Sequence, residues 1–131
     1  MTRIASCSCG ALTAACEGEP VRVSVCHCLE CQKRSGSAFA VQARFPADQV
    51  TISGEWREWM RTGDEGSHAR FRFCSVCSSI VFYVADEIPG FITIPVGGFA
   101  DPDFPPPKVT VYEDRQHAWV EIIGDDIERY D

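Results

Sequence analysis

The stretch Arg70-Phe-Arg-Phe-Cys74-Ser-Val-Cys77-Ser-Ser-Ile80-Val-Phe-Tyr-Val84 joins two β patterns through a pair of cysteines. Polar and apolar residues alternate over residues 70–73, which is typical of a half-buried strand, and residues 80–84 form a β-rich apolar run. A Cys-x-x-Cys pair between two strands occupies the position of a zinc knuckle in a β-ribbon. We therefore expect a ribbon that carries two metal ligands at its turn.

The rest of the chain is also mainly β in pattern. Residues 21–25, 109–112 and 120–122 alternate apolar with polar, and residues 39–45 and 91–96 are β-rich runs bounded by Gly, Pro or acidic residues. The only helix that the sequence predicts is a short one over residues 29–34, ended by Ser35-Gly36. The Pro-rich residues 101–108 predict a rigid surface loop. We expect one mainly antiparallel β domain over residues 1–131, without internal repeats or linkers.

Composition limits the partners. The 131 residues suit one domain, and the hydrophobic content of 45% is ordinary for a globular fold. Twelve Lys and Arg stand against 19 Asp and Glu, a net charge of −7 without any basic run, so we expect no nucleic-acid partner. Residues 1–6 contain no apolar segment of a signal peptide, and the longest purely apolar run, residues 80–85, falls far short of the ~20 residues that span a bilayer. We expect a cytoplasmic protein without a membrane partner; the sequence does not predict its oligomeric state.

Seven of the eight cysteines fall in three clusters. These are Cys7 with Cys9, then Cys26, Cys28 and Cys31, then Cys74 with Cys77. In a reducing cytosol such short spacings favour metal ligands over disulfides, and a secreted disulfide scaffold is the alternative. Cys16 lies outside the clusters, and we expect it to be a buried strand residue, since a free Cys behaves as a small hydrophobe.

The number of cysteines in each cluster predicts two kinds of zinc site. Structural zinc takes four protein ligands, whereas zinc with a position open for chemistry takes three. The two pairs together make a closed site, and the triplet makes an open one that would hold the reactive metal. Cys74 lies sixty-five residues after Cys9. Closing such a loop costs a few kcal/mol, whereas binding of structural zinc contributes roughly 10–16 kcal/mol. The free energy of zinc binding therefore exceeds the cost of closing the loop.

Four motifs carry a resemblance to a known family. They are Cys7-Ser-Cys9-Gly10, Cys26-His-Cys28-Leu-Glu-Cys31-Gln-Lys-Arg-Ser-Gly36, Phe73-Cys-Ser-Val-Cys77 and His117-Ala-Trp119. From Cys7 to its end, the chain resembles the glutathione-dependent formaldehyde-activating enzyme (GFA) family, also called the centromere protein V/GFA domain. Two positions depart from the family pattern. Ser78 stands where members usually carry Gly, and Gln32 stands where Arg is frequent, which removes one candidate for binding an anionic substrate.

The resemblance implies a fold, two metals and an activity. The fold is a β-tent of small antiparallel sheets stapled by zinc. A structural zinc would lie on Cys7, Cys9, Cys74 and Cys77, and a second zinc on Cys26, Cys28 and Cys31. The activity is the joining of formaldehyde and glutathione to S-hydroxymethylglutathione, which is the reaction of a carbon–sulfur lyase.

The triplet itself indicates a reaction class. Three thiolates on Zn²⁺ give a formal charge of −1, so this metal is a poor Lewis acid for making hydroxide and instead prefers a thiol. A coordinated thiol loses its proton readily and becomes a nucleophile. We expect the addition of a zinc-bound, glutathione-like thiol to a small aldehyde such as formaldehyde, or the reverse. The alternative is a binding or scaffolding module in which both zinc sites are structural and the second takes a fourth protein ligand or Cys16.

Glutathione is an anion, so an acidic chain must offer it local positive charge. Lys33 and Arg34 follow the triplet and are the best candidates, unless they merely solvate a surface turn. Weaker cation candidates are Arg44, Arg70 and Arg72.

Ser35 and Gly36 either face the open site or only end the helix. We expect His27 to point away from the metal and Trp119 to be a core residue. His117 is either a proton carrier or a packing residue on a strand.

Overall fold

A computed structural model describes residues 1–131 as eleven β-strands, one α-helix and three short 3₁₀ turns. The strands are Thr2–Ser6 (β1), Thr13–Glu17 (β2), Arg22–Cys26 (β3), Ala40–Pro46 (β4), Val50–Ser53 (β5), Trp56–Thr62 (β6), His68–Cys74 (β7), Ile80–Ala85 (β8), Phe91–Pro95 (β9), Val109–Val111 (β10) and Glu128–Arg129 (β11), the helix is Leu29–Ser35 (α1), and the 3₁₀ turns are Ala47–Gln49, Val96–Phe99 and Glu113–Arg115. The prediction of one mainly β domain is confirmed.

The strands form two sheets. The small sheet has the order β1-β2-β5, and the large sheet has the order β11-β10-β3-β4-β9-β8-β7-β6. Neighbouring strands are antiparallel, except that β10 runs parallel to both β3 and β11. The antiparallel pairing predicted for the sheets therefore holds everywhere but at one end of the large sheet.

The core lies between the two sheets. Side chains alternate across a strand, so β1 and β2 bury Ala5, Ala14 and Cys16 on one face, while the large sheet contributes Phe45 and Phe82. Cys16 is fully buried, as predicted, and burial raises the pKa of its thiol to about 11. Cys16 is therefore a core residue that stays protonated at neutral pH.

Most of the predicted elements are confirmed. The patterns over residues 21–25, 39–45, 70–73, 80–84, 91–96 and 109–112 correspond to β3, β4, β7, β8, β9 and β10, and the predicted helix corresponds to α1. Helix α1 ends as the sequence indicates, because Gly36 adopts the left-handed conformation (φ 67°) and donates its N–H to the carbonyl of Gln32. Residues 101–108 form an irregular connection between the 3₁₀ turn Val96–Phe99 and β10.

Three predictions about the C-terminal segment are wrong. Residues 120–122 do not form a strand, because the open edge of β10 is taken by β11 instead. Trp119 is not a core residue, since its side chain is 75% exposed, and His117 lies in irregular chain after a 3₁₀ turn rather than on a strand. A three-residue alternation specifies a strand only when a partner edge is available.

None of the helices is long and apolar enough to cross a membrane.

Candidate metal centres

Two turns bring the four cysteines of the closed cluster together. Cys7 and Cys9 lie in the turn between β1 and β2, and Cys74 and Cys77 lie at the turn between β7 and β8. Their sulfurs all lie within 4.8 Å of one another, with 3.7 Å between Cys7 and Cys9 and 3.6 Å between Cys9 and Cys74. Four sulfurs placed tetrahedrally at ~2.3 Å from zinc are about 3.8 Å apart. The closed cluster therefore fits a four-thiolate zinc site.

Backbone N–H groups point at two of these sulfurs. Leu12 donates its N–H to the sulfur of Cys7 at 3.2 Å, and Val76 donates its N–H to that of Cys74 at 3.3 Å. Hydrogen bonds with Ser79 lower the pKa of Cys77 to about 5. Thiolates are the form that binds metal, so the contacts with Ser79 favour the metal-binding form of Cys77.

Ser78, the first departure from the family pattern, keeps the backbone that glycine would adopt. It has φ 66°, in the left-handed region, and its hydroxyl donates to the carbonyl of Cys77. A residue with a Cβ pays roughly 1–2 kcal/mol for that conformation. The turn is thus unchanged in shape and slightly strained.

Strand β3 and helix α1 position the triplet. Cys26 is the last residue of β3, Cys28 is the N-cap of α1, and Cys31 lies in its first turn, where it donates its N–H to the sulfur of Cys28 at 3.3 Å. The three sulfurs lie within 4.8 Å of one another, and the group contains no fourth Cys, His, Asp or Glu. The triplet therefore offers three protein ligands and one open position, and Cys16 belongs to neither cluster.

His27 lies between two members of the triplet and points away from them, as expected. Its side chain is fully buried, and its Nε2 lies 3.0 Å from the hydroxyl of Thr110 on β10. Burial is the main cause that lowers the pKa of His27, so its ring is neutral at pH 7. His27 anchors the chain beneath the triplet instead of joining it.

Arg34 is the cation closest to the triplet. Its Nη2 donates to the sulfur of Cys31 at 3.6 Å, and its guanidinium lies over the rings of Phe71 and Tyr83 at 4.6 and 5.2 Å. The hydrogen bond with Cys26 lowers the pKa of Cys31 to about 5, and the charge of Arg34 acts in the same direction. A cation held by two aromatic rings stays beside the sulfurs instead of moving freely in solvent.

Three of the other predicted cations are engaged elsewhere. The side chain of Lys33 is 73% exposed and pairs with Glu30 on the outer surface of α1. Arg70 and Arg72 both pair with Glu58 and lie on the face of β7 opposite to Phe71. These three residues are therefore not directed at the triplet.

Ser35 and Gly36 form the end of α1, beside a cavity of about 260 Å³. Ser35 donates its hydroxyl to the carbonyl of Gln32 and Gly36 caps the helix, so both have the structural role that the sequence left open. The cavity is lined by residues that include Arg34, Ser35, Phe39, Gln42 and Tyr83.

Gln32, the second departure, connects α1 to the C-terminal segment. Its Nε2 donates to the carbonyls of His27 and Arg115 at 2.8 and 3.2 Å, and its Oε1 lies 2.9 Å from Nε2 of His117. Because the amide oxygen only accepts, Nε2 of His117 carries the proton and Nδ1 is left as a base. His117 is exposed and its ring packs edge-on against Trp119.

Tyr83, Gln42 and Arg22 were missed by sequence reasoning. They come from β8, β4 and β3, and the cross-strand register places them on the same face of the large sheet as Cys26. Burial raises the pKa of Tyr83, so its hydroxyl stays protonated. No local motif marks these residues, since only the pairing of distant strands brings them together.

The fold and the two cysteine groups, each of which could hold a metal ion, define a class of mainly β protein with candidate metal centres. The model of the glutathione-dependent formaldehyde-activating enzyme family matches residues 2–115, and the chain belongs to this family. A structural-genomics crystal structure of a Rhodobacter sphaeroides protein matches with a TM-score of 0.56 and 18% identity, covering 72% of this chain and 85% of that chain. This likeness shows the shared fold. No curated protein matches the chain.

Proposed function

We propose that this chain is a carbon–sulfur lyase, similar to S-hydroxymethylglutathione synthase, that adds a glutathione-like thiol to a small aldehyde such as formaldehyde, or catalyses the reverse. The observation that carries the proposal is the triplet, which has three sulfurs, no fourth protein ligand and an adjacent guanidinium. Membership of the GFA family supports the same reaction. The partners would be a small thiol and a small aldehyde.

The proposal assigns the two metals to the two clusters within a single zinc-binding domain over residues 1–131. A structural zinc would be held by Cys7, Cys9, Cys74 and Cys77, and a second zinc by Cys26, Cys28 and Cys31. When bound by the triplet, zinc supplies a thiophilic position that lowers the pKa of a substrate thiol. Both assignments are supported by the mutual distances of the sulfurs.

The chain's own residues would supply the charge and the proton transfer. Forming the adduct makes one C–S bond, opens the carbonyl double bond and moves one proton from the thiol to the aldehyde oxygen. Arg34 would attract the anionic thiol, whereas Lys33 adds only long-range attraction because it faces outward. His117 is our candidate for the proton carrier, since its Nε2–H is donated to Gln32 and its Nδ1 is left free to accept a proton.

The test compares zinc-reconstituted wild type with Cys28→Ser. Glutathione and formaldehyde are mixed, and the initial loss of free thiol is followed against the uncatalysed rate. We expect acceleration by wild type and none above background by Cys28→Ser. Cys16→Ala is the matched control, because it also removes one cysteine but lies outside both clusters, and it should retain activity.

Cobalt substitution distinguishes the enzyme from a zinc-stapled binding module. If the triplet is open, added glutathione should change the cobalt–thiolate absorption of wild type. If the second site shows four protein thiolates and its spectrum does not change when thiols are added, the protein is a binding module and the enzyme hypothesis is wrong.

A further inference from the structure

Two arginines face each other on the large sheet without an acidic partner. Arg22 of β3 is directly opposite Arg44 of β4 in the antiparallel register, so their Cβ atoms are about 5 Å apart. Both side chains are half-buried, and neither belongs to any ion pair of the structure. Burial and the charge of Arg22 both lower the pKa of Arg44. Two like charges held together on a sheet repel each other, and an anion between them would remove that repulsion.

These arginines line a cavity of about 190 Å³ together with Ser24, Gln42, Tyr83 and Thr93. Two of its polar atoms, Nε of Arg22 and Oε1 of Gln42, are buried without any hydrogen-bond partner. Buried polar groups are almost always paired, so an unpaired donor and an unpaired acceptor in one cavity indicate a ligand that supplies both. A carboxylate would accept from Arg22, and an N–H group of the same ligand would donate to Gln42.

The cavity lies on the same face of the sheet as the triplet. Arg22, Ser24 and Cys26 alternate along β3 and therefore point to one face. Four residues of strand separate the Cα atoms of Arg22 and Cys26 by about 13 Å. Tyr83 and Gln42 also line the cavity beside Arg34, so the two cavities adjoin through shared residues. The face thus leads from the paired arginines to the sulfurs.

We propose that the cavity between Arg22 and Arg44 binds the carboxylate of a peptide-like thiol whose sulfur reaches Cys26, Cys28 and Cys31. This inference rests on the proposed function and adds to it the residues that would select the thiol. In an extended tripeptide whose central residue carries the thiol, about two residues of chain, roughly 7 Å, separate a terminal carboxylate from that residue, and the side chains of the thiol residue and the arginines cover the remaining distance. Arg binds a carboxylate through two parallel hydrogen bonds, which gives both affinity and orientation. The site therefore selects thiols that carry a distant carboxylate over thiols that carry none.

The first test measures binding without chemistry. S-methylglutathione keeps both carboxylates and the N–H groups but has no free thiol, and its affinity for the zinc-loaded protein is measured by titration calorimetry. We expect Arg22→Gln and Arg44→Gln each to weaken binding by about tenfold or more, since a hydrogen bond to a charged group contributes that much. Arg57→Gln is the matched control, because Arg57 is exposed on β6 and forms no ion pair.

The second test compares two thiols as substrates. Glutathione carries carboxylates, whereas 2-mercaptoethanol carries neither a carboxylate nor a charge. Arg44→Gln should raise KM for glutathione about tenfold, with little change in kcat and no change in either constant for 2-mercaptoethanol. Arg44→Lys, which keeps the charge but loses the paired geometry, should lie between wild type and Arg44→Gln. The melting temperature of each variant verifies folding, and Arg22→Gln repeats the test from the other strand.

The two tests separate the failure of this inference from the failure of the proposed function. If wild type catalyses no thiol addition but binds S-methylglutathione in an arginine-dependent way, the proposed reaction falls and the carboxylate site stands. If wild type catalyses the addition and the arginine variants bind and react like Arg57→Gln, the carboxylate site falls and the reaction stands. Equal losses with glutathione and 2-mercaptoethanol would also overturn the carboxylate site.

Discussion

His27 relies on a single hydroxyl group to hold a polar ring in the core. Its Nε2 is paired with Thr110, and its Nδ1 has no partner. Thr110→Val keeps the shape of the side chain but leaves Nε2 unpaired as well. We expect the free energy of unfolding, measured with urea on zinc-loaded protein, to fall by about 1–3 kcal/mol.

Thr51→Val is the control for this substitution, since Thr51 is exposed on β5 and forms no side-chain hydrogen bond in the structure. It should change the free energy of unfolding by less than about 0.5 kcal/mol. An equal loss of unfolding free energy in both variants would mean that the hydrogen bond between His27 and Thr110 does not stabilise the fold.

Individual site residues differed in how well the sequence identified them. The seven clustered cysteines could be found because metal ligands on a turn are close along the chain, and spacing is visible in a sequence. Arg34 could be found because it follows Cys31 by three residues, and side chains three apart on a helix are neighbours. Arg22 and Gln42 could not, because their position depends on the register between β3 and β4.

Among the elements, β5 ends at a close backbone approach that only glycine permits. Gly54 has φ 109°, and a Cβ at this position would collide with the carbonyl oxygen of Ala11. Gly54→Ala must therefore move one of two backbones. We expect it to lower the free energy of unfolding by more than about 2 kcal/mol, measured by urea denaturation.

Gly66→Ala provides the matched comparison for Gly54→Ala. Gly66 has a similar positive φ of 82°, but an added Cβ would meet nothing within 4 Å. It should cost only the backbone term, roughly 1–2 kcal/mol. If both variants lowered the free energy of unfolding by the same amount, the close approach of Gly54 to Ala11 would contribute nothing to the cost of Gly54→Ala.

The predicted elements were those whose residues carry their own signal. The strands β7, β8 and β9 are rich in aromatic and β-branched residues, which favour strands wherever they occur. Strand β2, with the sequence Thr-Ala-Ala-Cys-Glu, was predicted only at Cys16 and not over its full length, because alanine has little strand preference. Its small side chains are buried because they pack closely between two sheets, which is a tertiary cause.

For the whole molecule, the closed cluster connects the small sheet to the large one. It joins the β1–β2 turn to the β7–β8 turn, whereas the triplet lies within one short segment of β3 and α1. We expect a chelator to remove zinc in two phases, first from the triplet without unfolding and then from the closed cluster together with loss of the fold. Released zinc is followed by a colorimetric indicator, and unfolding by far-ultraviolet circular dichroism.

Single serine variants are the matched controls for this prediction. Cys74→Ser should yield insoluble or poorly folded protein, because structural zinc contributes roughly 10 kcal/mol or more. Cys28→Ser should fold and should lose only the early phase of zinc release. A well-folded Cys74→Ser with an unchanged melting temperature would contradict the structural assignment of the closed cluster.

The two cysteine pairs of the closed cluster lie far apart along the chain, and this distance also matters while the protein is being synthesised. Cys9 leaves the ribosome 65 residues before Cys74. At roughly 5–20 residues per second, the early pair waits about 3–13 seconds for the later pair. During that interval two thiols are exposed to oxidants and to competing metals, with no chelate to protect them. A shortage of zinc should therefore harm newly made chains much more than mature ones.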